Sequence, residues 1–228
     1  MTPEDTFFTE EIFGAETYLL INGSTGGILS AVSAVLEKGE TLLMARNCHK
    51  AAYHAAYLRE CRIEYCYPEF LDAYGICGVI SPEKLQKKLE ENKGIQAVFI
   101  TSPTYDGVIS DVKEIVCEAH KRNIPVIVDE AHGAHLGLDE RFPKSAVECG
   151  ADIVIHSIHK TLPAFTQTAL LHVQGELIDR NRLQRFLQIY QTSSPSYILM
   201  AGIEQCISIL EKDRNMLYNN FLKQNIQF

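Results

Sequence analysis

A chain of 228 residues has room for one large domain with a sizeable core. A hydrophobic fraction of 46% and a charged fraction of 22% fit a water-soluble globular protein, and no apolar run approaches the roughly 18 residues of a membrane span. With 21 Lys+Arg against 29 Asp+Glu the net charge is −8, which argues against nucleic-acid and anionic-membrane partners and leaves a small-molecule substrate as the expectation.

Met1-Thr2-Pro3-Glu4-Asp5 has neither a basic stretch nor an apolar core, so no secretory signal is read there and the cytoplasm is the expected compartment. From there apolar runs of strand length alternate with helical periodicity, the pattern of βαβ units about a mostly parallel sheet. Strands are predicted at 18–21, 41–44, 63–66, 97–101, 126–129, 153–156 and 169–173, seven in all. Helices are predicted at 27–36, 49–58, 82–91 and 111–122, with a short one at 145–149. Ser81 before Pro82, and Asp111, have the chemistry of N-caps. After Val173 the alternation stops, and 176–190 and 195–217 read as two long helices. The expected organisation is one body over 1–228, an α/β sandwich to about 175 and a helical tail at 176–228. Seven cysteines, odd in number and without a C-x-x-C pair, suit reduced thiols.

Three constellations carry chemistry. Asn22-Gly23-Ser24-Thr25-Gly26-Gly27 lies between a predicted strand and a predicted helix. Glycines allow close backbone approach, hydroxyls donate, and a helix N-terminus offers free N–H groups, which suits a phosphate; a plain capping turn has the same composition. Asp129-Glu130-Ala131-His132 matches a DEAH box letter for letter, but a helicase also needs a phosphate loop, and the chain contains no Gly-Lys dipeptide. An Asp at the carboxyl end of a parallel strand instead faces the crevice where open α/β sheets bind ligands. Ser157-Ile158-His159-Lys160 closes another apolar run, where a partly desolvated lysine amine with a lowered pKa is suited to imine formation. Together the Asp and the Lys point to one aromatic aldehyde cofactor, pyridoxal phosphate. His132-x-x-His135 and His156-x-x-His159 raise a metal site as a rival, but ligands three apart on strand and loop segments do not share a face, and no metal is expected. His49 follows the loop Ala45-Arg46-Asn47-Cys48 and is read either as a ring-stacking group or as a packed cap.

These segments, together with Thr101-Ser102-Pro103-Thr104-Tyr105-Asp106-Gly107, the run from Thr161 to Gln167 and Thr192-Ser193-Ser194-Pro195-Ser196-Tyr197, resemble the major domain of the Orn/Lys/Arg decarboxylases, a pyridoxal-phosphate-dependent group of fold-type I. They run in family order over nearly the whole chain. The resemblance implies the large domain of that fold, a mostly parallel seven-stranded sheet flanked by helices. It implies that Ser24, Thr25 and Gly26 hold the cofactor phosphate with Ser157 and His159, that His49 stacks on the pyridine ring, and that His132 lies beside it. Asp129 would pair with the ring nitrogen, and Lys160 would form the Schiff base. After carbon dioxide leaves, His159, Lys160 or another acid would return a proton to the substrate. Active sites in the family form at a dimer interface, so a homodimer or larger oligomer is implied, with Thr192 or Ser193 reaching the neighbour's phosphate.

Family members are much longer, and the resemblance leads to the expectation that the N-terminal arm and C-terminal small domain they carry are absent here. The resemblance therefore implies decarboxylation of lysine, ornithine or arginine by a partial chain, with weak or no activity in isolation. The rivals are another fold-type I enzyme such as an aminotransferase or acyltransferase, and an incompetent homologue that only binds cofactor or dimerises.

Overall fold

Val126-Ile127-Val128 shows no alternation of polar and apolar residues, and the reason is that both faces of the strand are covered. The structure, a computed structural model, describes residues 11–225, so the opening residues, read above as lacking a secretory signal, lie outside them. Its main sheet has seven strands: β1 (Glu16–Leu20), β2 (Thr41–Ala45), β3 (Arg62–Cys66), β6 (Ile95–Thr101), β7 (Val126–Asp129), β8 (Ile153–His156) and β9 (Ala169–Val173). The spatial order is β1-β9-β8-β7-β6-β2-β3, and β9 alone runs against its neighbours. The predicted mostly parallel, seven-stranded sheet is what forms. A two-residue hairpin, β4 (Phe70–Leu71) with β5 (Ile76–Cys77), stands apart and is too short and exposed to leave a periodic signal.

Helices α1 (Gly23–Val35), α2 (Lys50–Leu58) and α6 (Arg180–Tyr190) share one core with Phe99, Ile127, Ile153, Ile155 and Leu171. Helices α3 (Pro82–Glu91) and α4 (Val112–His120) cover the alternate residues Val98, Ile100, Val126, Val128 and Val154 on the opposite face. The long α7 (Tyr197–Asn225) packs Ile203, Cys206, Ile207 and Leu210 against Ala134, Ile158 and Leu170. The period-two side-chain rule of strands thus sorts one sequence between two helical layers.

Local chemistry sets the boundaries. In α3, Ser81 accepts from Lys84 N at 3.3 Å, Pro82 fills the first turn, and Leu85 and Leu89 are fully buried one turn apart. Each such leucine contributes about 1.5–3 kcal/mol by burial. Helix α6 begins at Arg180 rather than 176, because Asp179 caps it through Arg182 N. Helix α7 continues to Asn225, past the predicted end at 217. The short helix predicted at 145–149 is instead a turn: Ser145 and Glu148 exchange side-chain and backbone hydrogen bonds, and Gly150 leaves with φ +87° before a second helical turn can form. The structure adds one helix that periodicity does not predict, the single turn α5 (Ile158–Thr161). Gly27 is required by packing, since a Cβ there would sit 2.5 Å from Leu20 Cδ1 where α1 crosses β1.

This topology brings the ends of β1, β2, β6, β7 and β8 and the start of β9 to one edge of the sheet, with Thr101 beside Asp129, Asp129 beside Ile155, and His156 beside Leu170. Among the described residues no helix is long and apolar enough to cross a membrane. All seven cysteines are free.

Candidate active site

Asp129 ends β7 and is only 2% exposed. Its carboxylate accepts the Ala131 N–H at 3.1 Å. Burial pushes its pKa up to about 6, while that hydrogen bond, Lys160 and His156 pull the other way. A carboxylate is left buried here beside few compensating groups, the condition expected of a group that awaits a partner.

Lys160 sits in α5, just past β8. It is open to solvent, yet desolvation by its surroundings lowers the amine below the usual lysine value, with Asp129 opposing. Its Nζ lies 3.0 Å from His132 Nε2. The pKa of His132 is lowered by burial, then by Lys160 and His49; that of His49 is lowered by burial, then by Lys160, Lys50 and His54. Four of the predicted residues, Asp129, Lys160, His132 and His49, therefore act on one another across the loops of three strands. His49 is also the N-cap of α2: its Nδ1 accepts from Ala51 N at 3.2 Å, which fixes the ring at the mouth of the site.

Ser24, Thr25 and Gly26 form the first turn of α1. The N-caps of α2, α3, α4 and α6 all accept a first-turn N–H through a side chain, whereas Asn22 of α1 does not. Ser157 is buried, and its Oγ has no hydrogen-bond partner. A Cβ at Gly27 would come within 3.4 Å of Ile155 Cγ2, so the first turns of α1 lie over the end of β8, two residues before Ser157 in the chain. Free N–H groups and an unmatched buried hydroxyl fit an anion such as the phosphate of pyridoxal phosphate. Gln191 holds this loop, its Oε1 accepting from Ile21 N at 3.1 Å and its Nε2 donating to Leu19 O at 3.3 Å, while Gln167 Nε2 donates to Ile21 O at 2.7 Å.

Two assigned residues make other contacts. His159 Nδ1 lies 2.7 Å from the Thr168 carbonyl, so that nitrogen carries a proton and donates it there. Thr192 is exposed in the turn between α6 and α7, where its hydroxyl accepts from Ser194 N at 3.1 Å. The four histidines that suggested a metal diverge: His132 turns to Lys160, His135 to the Phe142 ring, His156 to Glu130 and His159 to Thr168.

Residue-by-residue reading left out Tyr105, whose ring meets His132 edge-on with centroids 5.5 Å apart. Its signal was the Ser-Pro-Thr-Tyr turn directly after β6. It also left out Gly133, where a Cβ would come within 2.6 Å of Glu130 Cγ and 2.7 Å of Pro103 Cδ, so that only glycine allows the 130–133 turn to close against the 102–107 loop.

The model of the Orn/Lys/Arg decarboxylase major domain matches residues 4–228. An uncharacterised Bacillus subtilis protein, YaaO, is 42% identical over 85% of this chain and 41% of its own length. An arginine decarboxylase of the same organism is 34% identical over 93% of this chain and 44% of its own length. Lysine decarboxylase A from Pseudomonas aeruginosa superposes with a TM-score of 0.83 over 96% of this chain and 33% of that one; at 23% identity this likeness shows the fold. The chain spans less than half the length of the curated relatives it matches. With the family match running through every segment that builds the carboxyl edge of the sheet, this chain belongs to the Orn/Lys/Arg decarboxylase family, whose major domain it carries.

Proposed function

We propose that the chain binds pyridoxal phosphate and serves the decarboxylation of a basic amino acid, lysine, ornithine or arginine, with Lys160 as the Schiff-base lysine. The observation that carries this reading is the placement of the Lys160 amine 3.0 Å from His132 and within the field of buried Asp129. When bound, the cofactor supplies an aldehyde that captures amines and a ring that withdraws electrons.

The residues divide the remaining work. Lys160 has a lowered pKa and presents a larger share of neutral, nucleophilic amine at neutral pH than an ordinary lysine. Asp129 would hold a proton on a ring nitrogen, and the nearby cation of Lys160 favours its ionised form. Ser24, Thr25, the Gly26 backbone and Ser157 would take the phosphate, with His159 nearby through α5. His49 and His132 would border the ring, His132 being positioned by Tyr105. As a homodimer or larger oligomer, the exposed Thr192 turn of one copy would reach the phosphate of the next.

Product analysis tests the reading. Incubated with pyridoxal phosphate and lysine, ornithine or arginine, the 228-residue chain is expected to release carbon dioxide and the corresponding amine from one of them, and only weakly, as a partial chain should; robust turnover would overturn that expectation. Formation of a keto acid would favour an aminotransferase, and neither product would favour a homologue that binds cofactor without turnover.

A further inference from the structure

A line of polar side chains crosses the sheet beneath the site, on the face opposite α1 and α2. Thr17 of β1, His172 of β9, His156 of β8 and Glu130, just past β7, come from four neighbouring strands, and each is at most 2% exposed. Thr17 Oγ1 donates to Ala15 O at 2.8 Å and meets His172 Nδ1 at 2.8 Å. His172 Nε2 meets His156 Nδ1 at 3.0 Å, and His156 Nε2 meets Glu130 Oε2 at 2.8 Å. Both Glu130 oxygens accept the Ala146 N–H, at 3.0 and 3.1 Å.

The proton directions follow from valence. The Thr17 hydroxyl spends its proton on Ala15, so it accepts from His172 Nδ1–H. Complete burial lowers the pKa of His172 well below the usual histidine value, so this ring is neutral and its Nε2 is a bare acceptor. His156 Nδ1 must then donate to it. One proton remains unassigned, between His156 Nε2 and Glu130 Oε2. On Glu130 it gives a neutral pair; on His156 it gives an imidazolium facing a carboxylate.

The surroundings decide between these. Burial raises the pKa of Glu130, but His156 and the Ala146 N–H, which both carboxyl oxygens share, pull it back toward the carboxylate. Asp129 stands in register with Ile155, next to His156 in the chain, and Glu130 N donates to Ile155 O at 3.0 Å, so the Asp129 carboxyl on one face of the sheet lies within the electrostatic reach of the His156 ring on the other. The titratable groups around His156 are Glu130 and Asp129 at the end of β7, His135 in the following loop and His172 on β9, with Lys160 acting on Asp129 from the cofactor side. Phe13 closes over both histidines, with centroids 4.8 Å from His172 and 5.7 Å from His156.

We propose that this chain holds His156 as an imidazolium and that its charge keeps Asp129 ionised, making His156 and Glu130 positioning residues for the site. The inference deepens the assignment of Asp129 as the ring-nitrogen partner. It can fail independently of that assignment, because its test is read on the 228-residue chain without cofactor.

The test combines two NMR measurements. Ring nitrogen shifts of 15N-histidine-labelled protein at pH 7 should show both nitrogens of His156 protonated and His172 bare at Nε2; a neutral His156 would overturn the proposal. A carboxyl 13C titration should then give a midpoint for Asp129 that rises by roughly one pH unit in His156→Gln and in Glu130→Gln, as expected when a nearby opposite charge is lost. Glu130→Gln keeps the size of the side chain and a carbonyl for the Ala146 N–H, so it decides alone if His156→Gln fails to fold. An unmoved Asp129 midpoint in a folded variant would also overturn the proposal, whereas a purely structural role would alter stability and leave that midpoint in place.

Discussion

The middle of the sheet and its carboxyl edge are built from the same strands by opposite rules. In the middle, Phe99, Ile127, Ile153 and Leu171 are fully buried among aliphatic neighbours. Two or three residues further on, three of these strands end in Thr101, Asp129 and His156, polar groups held out of water. The middle stabilises the fold, and the edge costs stability so that a site can exist there. That contrast can be broken or sharpened by substitution.

The largest effect is expected in the middle. Phe99→Ala should destabilise the fold by about 3–5 kcal/mol, measured by denaturant unfolding, because a fully buried ring leaves a cavity. A loss under 1 kcal/mol would mean that this core is loosely packed. The edge should respond with the opposite sign. The folded-state pKa of Asp129, about 6, lies above its ordinary value of 3.8, so folding favours the protonated form. Its ionisation therefore opposes folding increasingly as pH rises from about 4 to about 6, and by a constant amount above that. Asp129→Asn should raise stability at pH 8 by up to roughly 3 kcal/mol and leave it nearly unchanged at pH 4. Thermal melts at the two pH values check the sign, and they should be run without cofactor.

Smaller effects separate binding from folding. Ser157→Ala removes a hydroxyl that has no partner, so stability should change by less than about 1 kcal/mol. Affinity for pyridoxal phosphate should fall roughly tenfold, read by fluorescence titration. Tyr105→Ala, at a residue 85% exposed, should move stability by no more than about 0.5 kcal/mol. If it weakens cofactor binding, the edge-on contact with His132 contributes to the site.

What could be read from sequence follows the same division. The strands 126–129, 153–156 and 169–173 are legible to the residue, because an unbroken apolar run bounded by polar ends has one interpretation. The helix expected at 145–149 was not, because Ser145 and Glu148 satisfy a capping pattern that Gly150 then ends. Within the candidate site, Asp129 and Lys160 are visible as charged residues at apolar strand ends. His156 is ambiguous in sequence: its spacing to His159 suggested a shared ligand, whereas strand pleating sends it to the opposite face, toward Glu130 and His172. The pairing of β8 with antiparallel β9, which brings His172 to His156, joins residues 16 apart and leaves no periodic trace.

The central claim is that Lys160 captures the cofactor aldehyde. Incubation with pyridoxal phosphate, reduction with borohydride and peptide mass spectrometry test it directly. A stable adduct on Lys160, absent from Lys160→Ala, is the predicted result. An undiminished adduct in Lys160→Ala, or an adduct confined to other lysines of the unaltered chain, would contradict it.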